Sequence, residues 1–460
     1  MVTDKKKIVI IGAGPCGLGA AWRLNELGMT NYEVFEKNTY AGGLSSSFVD
    51  EQGFTWDIGG HVLFSHYDYF DRIMETAIPR EGWVPHERES WIWIKQRFIP
   101  YPLQYNIGRL PEKEMVECLT GLIHCNQENL LNANFLEWIL HNFGEGIAKH
   151  FLIPYNKKVW AYPLEELSVQ WTGERVAVSD IKRVIDNIMQ EKDDCSWGPN
   201  NAFTFPLYGG TGAIWRSLAE KLPQERVHFN SELVALDSEK RVLKFNDGRE
   251  EHYHYLITTI PIDQLITITA GISSAKEDKF VYSSSNIVGI GLKGEPPEKL
   301  RTKCWMYFPE DDNPFYRVTV FSNYSPKNVP EGGYWSLMGE VSESPKKPVD
   351  QARLIDEALQ GFYNTLLIER NTPIVSTWSY RAEYAYPTPF LGRDEVLSRY
   401  FADLKKKNIY SRGRFGAWKY ECSNQDHALM QGVEAAENIL FGTPELTLNY
   451  PSFVNTHRVR

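Results

Sequence analysis

Ile8-Val9-Ile10-Ile11-Gly12-Ala13-Gly14-Pro15-Cys16-Gly17 decides the fold. Ile8 to Ile11 is an unbroken β-branched run, the composition of a parallel strand buried on both faces. Gly12, Gly14 and Gly17 follow, and Leu18 to Leu27 continue as an amphipathic helix. Tyr32 to Glu36 reads as a second strand, so the chain opens as a strand–helix–strand unit. The three glycines meet three demands of a dinucleotide site: a tight turn, close approach of backbone to pyrophosphate, and close packing of helix on strand. The phosphates then face the helix N-terminus, where free N–H groups and the dipole favour negative charge. Glu36, closing the second strand, suits the ribose hydroxyls of an adenosine; the alternative is a solvated strand end.

Working outward, residues 108–195 carry apolar residues at helical spacing, as in LEWILHNF. Residues 225–260 read as strands and turns, and residues 280–345 alternate in period two between Pro- and Gly-rich turns. Residues 351–371 return to helix, and a last helix covers HALMQGVEAAENIL. The expected fold class is α/β: a Rossmann-like, dinucleotide-binding domain with an inserted helical domain and an antiparallel-sheet substrate domain. The expected boundaries are 1–90, 200–275 and 405–460 for the first, 105–199 for the helical insert, and 91–104 with 276–404 for the sheet domain.

The 460 residues suit more than one core, and the net charge of −10 argues against nonspecific nucleic-acid binding. Aromatic residues reach 13%, which suits stacking on a planar ligand, although core packing explains most aromatics in most proteins. The cysteines, at 16, 118, 125, 195, 304 and 422, form no CxxC and read as free thiols in a reducing compartment. The N-terminal apolar run is too short to span a membrane and has no leader pattern, so a cytoplasmic protein with no membrane partner is expected. His252 and His254 lack ligands at a recognisable spacing, and no metal is assigned to them.

Gly42-Gly43-Leu44-Ser45 follows the second strand, where adjacent glycines let backbone pass close to a bulky cofactor or simply turn the chain. With the first motif, it resembles the glutathione-reductase-like flavoproteins, which makes FAD the better dinucleotide. Asp57-Ile58-Gly59-Gly60-His61 brings an imidazole towards a flavin, or holds a structural histidine. Segments in order down the chain then resemble the eukaryotic-type UDP-galactopyranose mutases. They include YPLQYNIGRLP (101–111), FLIPYNKKVWAYP (151–163), GERVA (173–177), CWMYFPEDDNPFYR (304–317), SRGRFGAWKYE (411–421), NQDHALM (424–430) and LTLNYPSFVN (446–455).

That resemblance implies interconversion of UDP-galactopyranose and UDP-galactofuranose, with reduced FAD as a covalent catalyst and no net redox change. It implies NADPH or NADH as reductant and a UDP-sugar as partner, and it leaves the oligomeric state open. Alternatives are the same chemistry on UDP-N-acetylgalactosamine, UDP-arabinose or another hexose, an FAD-dependent oxidase, or a noncatalytic UDP-sugar-binding flavoprotein. By resemblance, the uracil set is Tyr101, Gln104, Phe151, Asn156 and Trp160, with Leu103 where some members have Phe. The diphosphate set is Tyr307, Arg317, Tyr386 and Tyr420; the sugar set is Arg175, Asn200 and Arg414, with Trp305 and Tyr324 beside it. Arg175, Arg414 and His61 are the expected catalytic residues, with Arg175 on a loop hinged at Gly173. Gly60, Gly209, Gly210, Thr211, Gly212, Asn424 and Gln425 complete the flavin set, and Asp426 reads as a helix-capping residue.

Overall fold

The first strand, Ile8–Ile11, is flanked on one side by Tyr32–Phe35 and on the other by Tyr255–Thr258, all parallel. Ile409–Ser411 and Val227–His228 complete a five-stranded parallel sheet. Every residue of the first strand is buried, which is why its apolar run is continuous rather than alternating. The computed structural model describes residues 6–125, 130, 133–198, 201–272 and 278–459.

The helix after the first strand, Pro15–Glu26, carries proline in its first turn and packs along the long helix Gln425–Phe441. Small residues bring the two backbones together: a Cβ on Gly432 would lie 1.9 Å from the Cys16 carbonyl, and one on Gly19 would lie 2.4 Å from that of Leu429. The first strand of the chain and its last long helix thereby share one core, built from Ile8, Leu18, Leu24, Trp215, Leu429 and Val433 among others.

A second, seven-stranded sheet runs in the order 374–387, 282–293, 334–343, 317–320, 305–307, 90–94 and 97–100. Its pairings are antiparallel except that Trp305–Tyr307 lies parallel to Ser90–Ile94, so the sheet is mixed. Gly289 and Gly291 leave room for aromatic faces: a Cβ there would meet Trp56 at 2.6 Å and Phe54 at 2.5 Å. The strand Ile374–Pro387 and the helix Arg393–Lys406 stand where no element had been expected from sequence.

Helices Glu112–Ile123, Phe135–Ile147, Ile153–Trp160 and Ile181–Met189 form the insert, which packs on Ile92, Ile94 and Ile99 of the mixed sheet. Asn134 starts the second of these with a reciprocal cap: its Oδ1 accepts from Glu137 N at 3.0 Å, while Glu137 Oε2 accepts from Asn134 N at 3.1 Å. Phe135, Trp138, Phe151, Trp160 and Trp171 are buried in its core. Among the described residues no helix is long and apolar enough to cross a membrane.

Candidate functional site

The glycine turn forms a cradle that side chains would fill. Gly12 has φ +101°, and a Cβ there would lie 2.0 Å from Thr259 Oγ1; one on Gly17 would lie 1.8 Å from the Gly12 carbonyl. Gly42 N donates to Ala13 O at 2.8 Å, and Gly43 Cα lies 3.9 Å from where a Gly14 Cβ would be, so the two glycine motifs face each other. Buried Glu36 accepts from Ala13 N at 2.7 Å and Asn38 N at 2.9 Å, which fixes the carboxylate beside the glycine turn with lone pairs still open to hydroxyl donors. Leu44 and Ser45 continue in a short 3₁₀ turn, Gly43–Ser45.

Behind this turn lies a buried polar knot. Asp57 is fully buried and binds Ser47 Oγ at 2.5 Å and Thr211 N at 3.2 Å, while Gly212 N donates to Ser47 Oγ at 2.7 Å. Burial pushes its carboxyl up to about 6, opposed by the Ser47 and Thr211 hydrogen bonds. A Cβ on Gly210 would lie 2.4 Å from Asp57 Oδ1, so this loop too is closed to side chains. Gly209 O accepts from Arg216 at 3.0 Å. Trp215 Nε1 donates to Gln425 Oε1 at 2.8 Å, tying the loop's helix to the start of the long closing helix, whose first flanking residue is Asn424.

His61 lies at the junction of the knot and the second sheet. Its Nδ1 is buried without a hydrogen-bond partner, 3.9 Å from Asp57 Oδ2. Burial, with Arg317 and Arg414 nearby and Glu340 opposing, pulls its imidazole down to about 4, so the ring is neutral at pH 7. The glycine cradle, the fixed Glu36 and this orphaned nitrogen all suit FAD.

The residues expected around a substrate divide into two groups. In one, Tyr101 packs on Tyr307 at 4.9 Å, and Tyr307 on Tyr155 at 5.3 Å; Phe151 stacks on Tyr155 at 5.3 Å. Gln104 donates to Ala177 O at 3.0 Å and keeps a buried Oε1 without a partner, and Asn156 donates to Leu152 O at 2.7 Å. In the other, Arg175 and Arg414 bracket Tyr420, with guanidinium carbons 5.2 and 5.7 Å from its ring centre. Trp160 meets Tyr420 edge-on at 5.1 Å and Tyr386 at 6.0 Å, with its Nε1 buried and unpartnered. Arg414 lies 5.1 Å from the Tyr386 ring and donates to Ala385 O, Ser423 O and Ser423 Oγ. Among the described residues no carboxylate lies within 4.0 Å of it. Arg175 donates to Asn424 Oδ1 at 2.9 Å and Glu421 O at 3.2 Å, which joins the 173–175 turn to the start of the long closing helix.

Tyr324 and Trp305 pack within the aromatic cluster of Phe203, Phe205 and Phe321. Leu103 is fully buried in the insert core. Asn200 lies outside the described residues. Asp426 is not a capping residue: its carboxylate turns instead to His66, at 2.7 Å from Nδ1 and 3.1 Å from the main-chain N.

Sequence reasoning missed Glu340, Tyr316 and His66. Glu340 stands opposite Arg317 across the sheet and takes it in a two-pronged pair, at 2.6 and 2.8 Å. It also accepts from Tyr316 OH at 2.8 Å and Gly60 N at 3.1 Å. Tyr386 OH lies 3.3 Å from Tyr316 OH, whose single proton goes to Glu340. Tyr316 was legible as the neighbour of Arg317, but nothing in GEVSE marks Glu340 as its partner.

The parallel sheet, its glycine cradle and the fixed Glu36 define a flavin-dinucleotide protein. The family described as flavin containing amine oxidoreductase matches residues 15–440. The structure superposes on a reduced UDP-galactopyranose mutase with TM-score 0.96 and 49% identity, covering 100% of this chain and 98% of the other. A protein of Exiguobacterium sp. assigned as a protoporphyrinogen oxidase shares the fold at TM-score 0.73 and 16% identity, over 95% of this chain and 99% of that one. A Capsicum annuum zeta-carotene desaturase is 38% identical over 73 residues, which are 16% of this chain and only 12% of the desaturase. The chain belongs to the flavin containing amine oxidoreductases and, among them, to the UDP-galactopyranose mutases.

Proposed function

We propose that the chain interconverts UDP-galactopyranose and UDP-galactofuranose, using bound FAD in its reduced state with no net oxidation. The observation that carries this reading is the pair Arg175 and Arg414 around Tyr420, with Arg414 lacking a carboxylate among the described residues. A partly buried guanidinium without a counter-charge favours an anion beside it, and a diphosphate is such an anion. An oxidase or desaturase acting on a neutral substrate has no use for this pair.

Gly12, Gly14, Gly17 and the helix they open would hold the FAD pyrophosphate, and Glu36 the adenosine ribose. Gly42, Gly43, Gly60, His61, Gly210, Thr211, Asn424 and Gln425 would line the ring system. Reduced flavin supplies a nucleophilic nitrogen that oxidised flavin lacks. His61, neutral at pH 7, offers one ring nitrogen as a hydrogen-bond partner without adding charge beside the ring. Arg175 and Arg414 stabilise the leaving and returning diphosphate, with the Tyr386 and Tyr420 hydroxyls as uncharged donors. Arg317 keeps N–H groups beyond those taken by Glu340, and these reach the same anion. Tyr101, Gln104, Phe151 and Asn156 form the uracil end, where the unpartnered Gln104 Oε1 suits an imide N–H.

The domain division follows the same reading. Strands of the parallel sheet come from 1–90, 200–275 and 405–460, and those of the mixed sheet from 90–100 and 282–387. NADPH or NADH is the proposed reductant, tested by the rate at which each bleaches the flavin without oxygen.

The decisive experiment is anaerobic turnover. The flavin is reduced with dithionite, UDP-galactofuranose is supplied, and UDP-galactopyranose is followed by chromatography. Conversion only with reduced flavin is expected. Tight UDP binding without conversion would overturn the galactose reading and leave a UDP site for another sugar.

A further inference from the structure

His66 contacts two carboxylates at once. Its Nδ1 lies 2.7 Å from Asp426 Oδ2, and its Nε2 lies 3.2 Å from Glu174 Oε2. Ionised carboxylates only accept hydrogen bonds, and a neutral imidazole carries only one N–H. Both contacts are satisfied together only by the doubly protonated ring.

The two carboxylates sit on different parts of the site. Asp426 is in the first turn of the helix whose start holds Asn424 and Gln425, and it also binds the His66 main-chain N at 3.1 Å. His66 O accepts from Val459 N at 2.8 Å, so the residue is fixed to the helix and to the C-terminal segment. Glu174 belongs to the short turn Gly173–Arg175. Its neighbour Arg175 reaches back to the same helix start through Asn424 and Glu421. The turn is closed by Arg175 N and Val176 N donating to Thr172 O at 2.8 and 3.0 Å, and nothing packs against the Gly173 Cβ position, so the contacts made by Glu174 and Arg175 add to this backbone restraint.

We propose that His66 is a positioning residue: as an imidazolium clamped to Asp426, it grips Glu174 and so sets the adjacent Arg175 against Tyr420 for anion binding. The proposal rests on the UDP-sugar reading of the site. The groups facing His66 are Asp426 and His427 from the long helix, Glu174 from the turn, and Phe64 and Tyr67 from its own segment, while Arg175 Nε lies 3.8 Å from Glu174 Oε1. From the C-terminal segment, Arg458 is held by Asp68 and Asp71. His427 is pulled down to about 4, chiefly by burial, and does not compete for the proton. His66 itself is raised to about 9, because the hydrogen bonds and charges of Asp426 and Glu174 outweigh burial. Loss of its proton leaves the Nε2 lone pair facing a carboxylate, and the grip on Glu174 fails.

The test is UDP affinity of the reduced, FAD-bound protein, titrated between about pH 7 and about pH 10. In wild type, affinity falls about tenfold as pH rises through the His66 transition. E174A shows that weaker affinity already at neutral pH and only the step that loss of the uracil imide proton gives in every variant, with FAD content unchanged. E174Q shows wild-type affinity at neutral pH and the same imide step alone, since an amide accepts from the imidazolium and donates to the neutral ring. Wild-type affinity in E174A at every pH would overturn the proposal alone. A wild-type protein that binds no UDP would overturn the functional reading and this proposal together.

Discussion

Glu340→Gln isolates the charge of a single buried carboxylate while keeping its shape. In the native protein this group takes two hydrogen bonds from Arg317, at 2.6 and 2.8 Å, with its own side chain 3% exposed and that of Arg317 23% exposed. Removing one partner of a buried ion pair costs about 3–5 kcal/mol, because the other charge stays behind uncompensated. Water reaches part of the Arg317 guanidinium, which places the expected loss near the lower end, about 3 kcal/mol. An exposed pair would cost only about 0–1 kcal/mol. Gly60 N binds Oε1 and Tyr316 OH binds Oε2, so the single amide oxygen of Gln keeps only one of these contacts, and the lost acceptor adds to the cost of the lost charge. The measurement is urea unfolding of the FAD-bound protein at neutral pH, wild type against variant, followed by flavin and tryptophan fluorescence. A loss below about 1 kcal/mol would refute the reasoning, showing that Arg317 does not depend on Glu340 for its counter-charge.

Arg414→Ala should lower conversion by about a hundredfold or more while leaving bound FAD and its spectrum unchanged, as measured by anaerobic turnover against flavin content. Gly17→Ala places a methyl group 1.8 Å from the Gly12 carbonyl, so the purified protein should carry little or no FAD by its absorption. His66 has a folded pKa raised to about 9 from the ordinary 6.5, so its stabilisation is complete below about pH 6.5 and disappears as pH rises through 9. Melting temperature should therefore fall across that window by more in wild type than in His66→Gln; parallel curves would contradict the assignment.

The sequence determined the dinucleotide end of this protein almost unaided. A buried parallel strand, a glycine turn and a helix are local features, and Gly17 is required by a contact within the turn, with the Gly12 carbonyl, although Gly12 and Gly14 also face Thr259 and Gly43 from elsewhere in the chain. Gly12, Gly17 and Glu36 stand where the spacing put them, and the period-two alternation after residue 280 became a sheet. The strand Ile374–Pro387 escaped the reading because its buried and exposed positions alternate irregularly among aromatic, charged and small residues. The helix Arg393–Lys406 was legible in principle, with Leu397, Tyr400 and Leu404 at helical spacing on its buried side.

Residue by residue, the arginines and tyrosines of the substrate end came from resemblance, since nothing local distinguishes Arg414 from any other arginine. Only the tertiary structure decided that Arg175 and Arg414, more than two hundred residues apart, share one tyrosine ring. It alone paired Arg317 with Glu340, through strand register, and Glu174 with Asp426, through His66. The physical reason is the range of the forces involved: turn and strand preferences act over a few residues, whereas a buried charge is compensated by whatever group the packed chain brings to it.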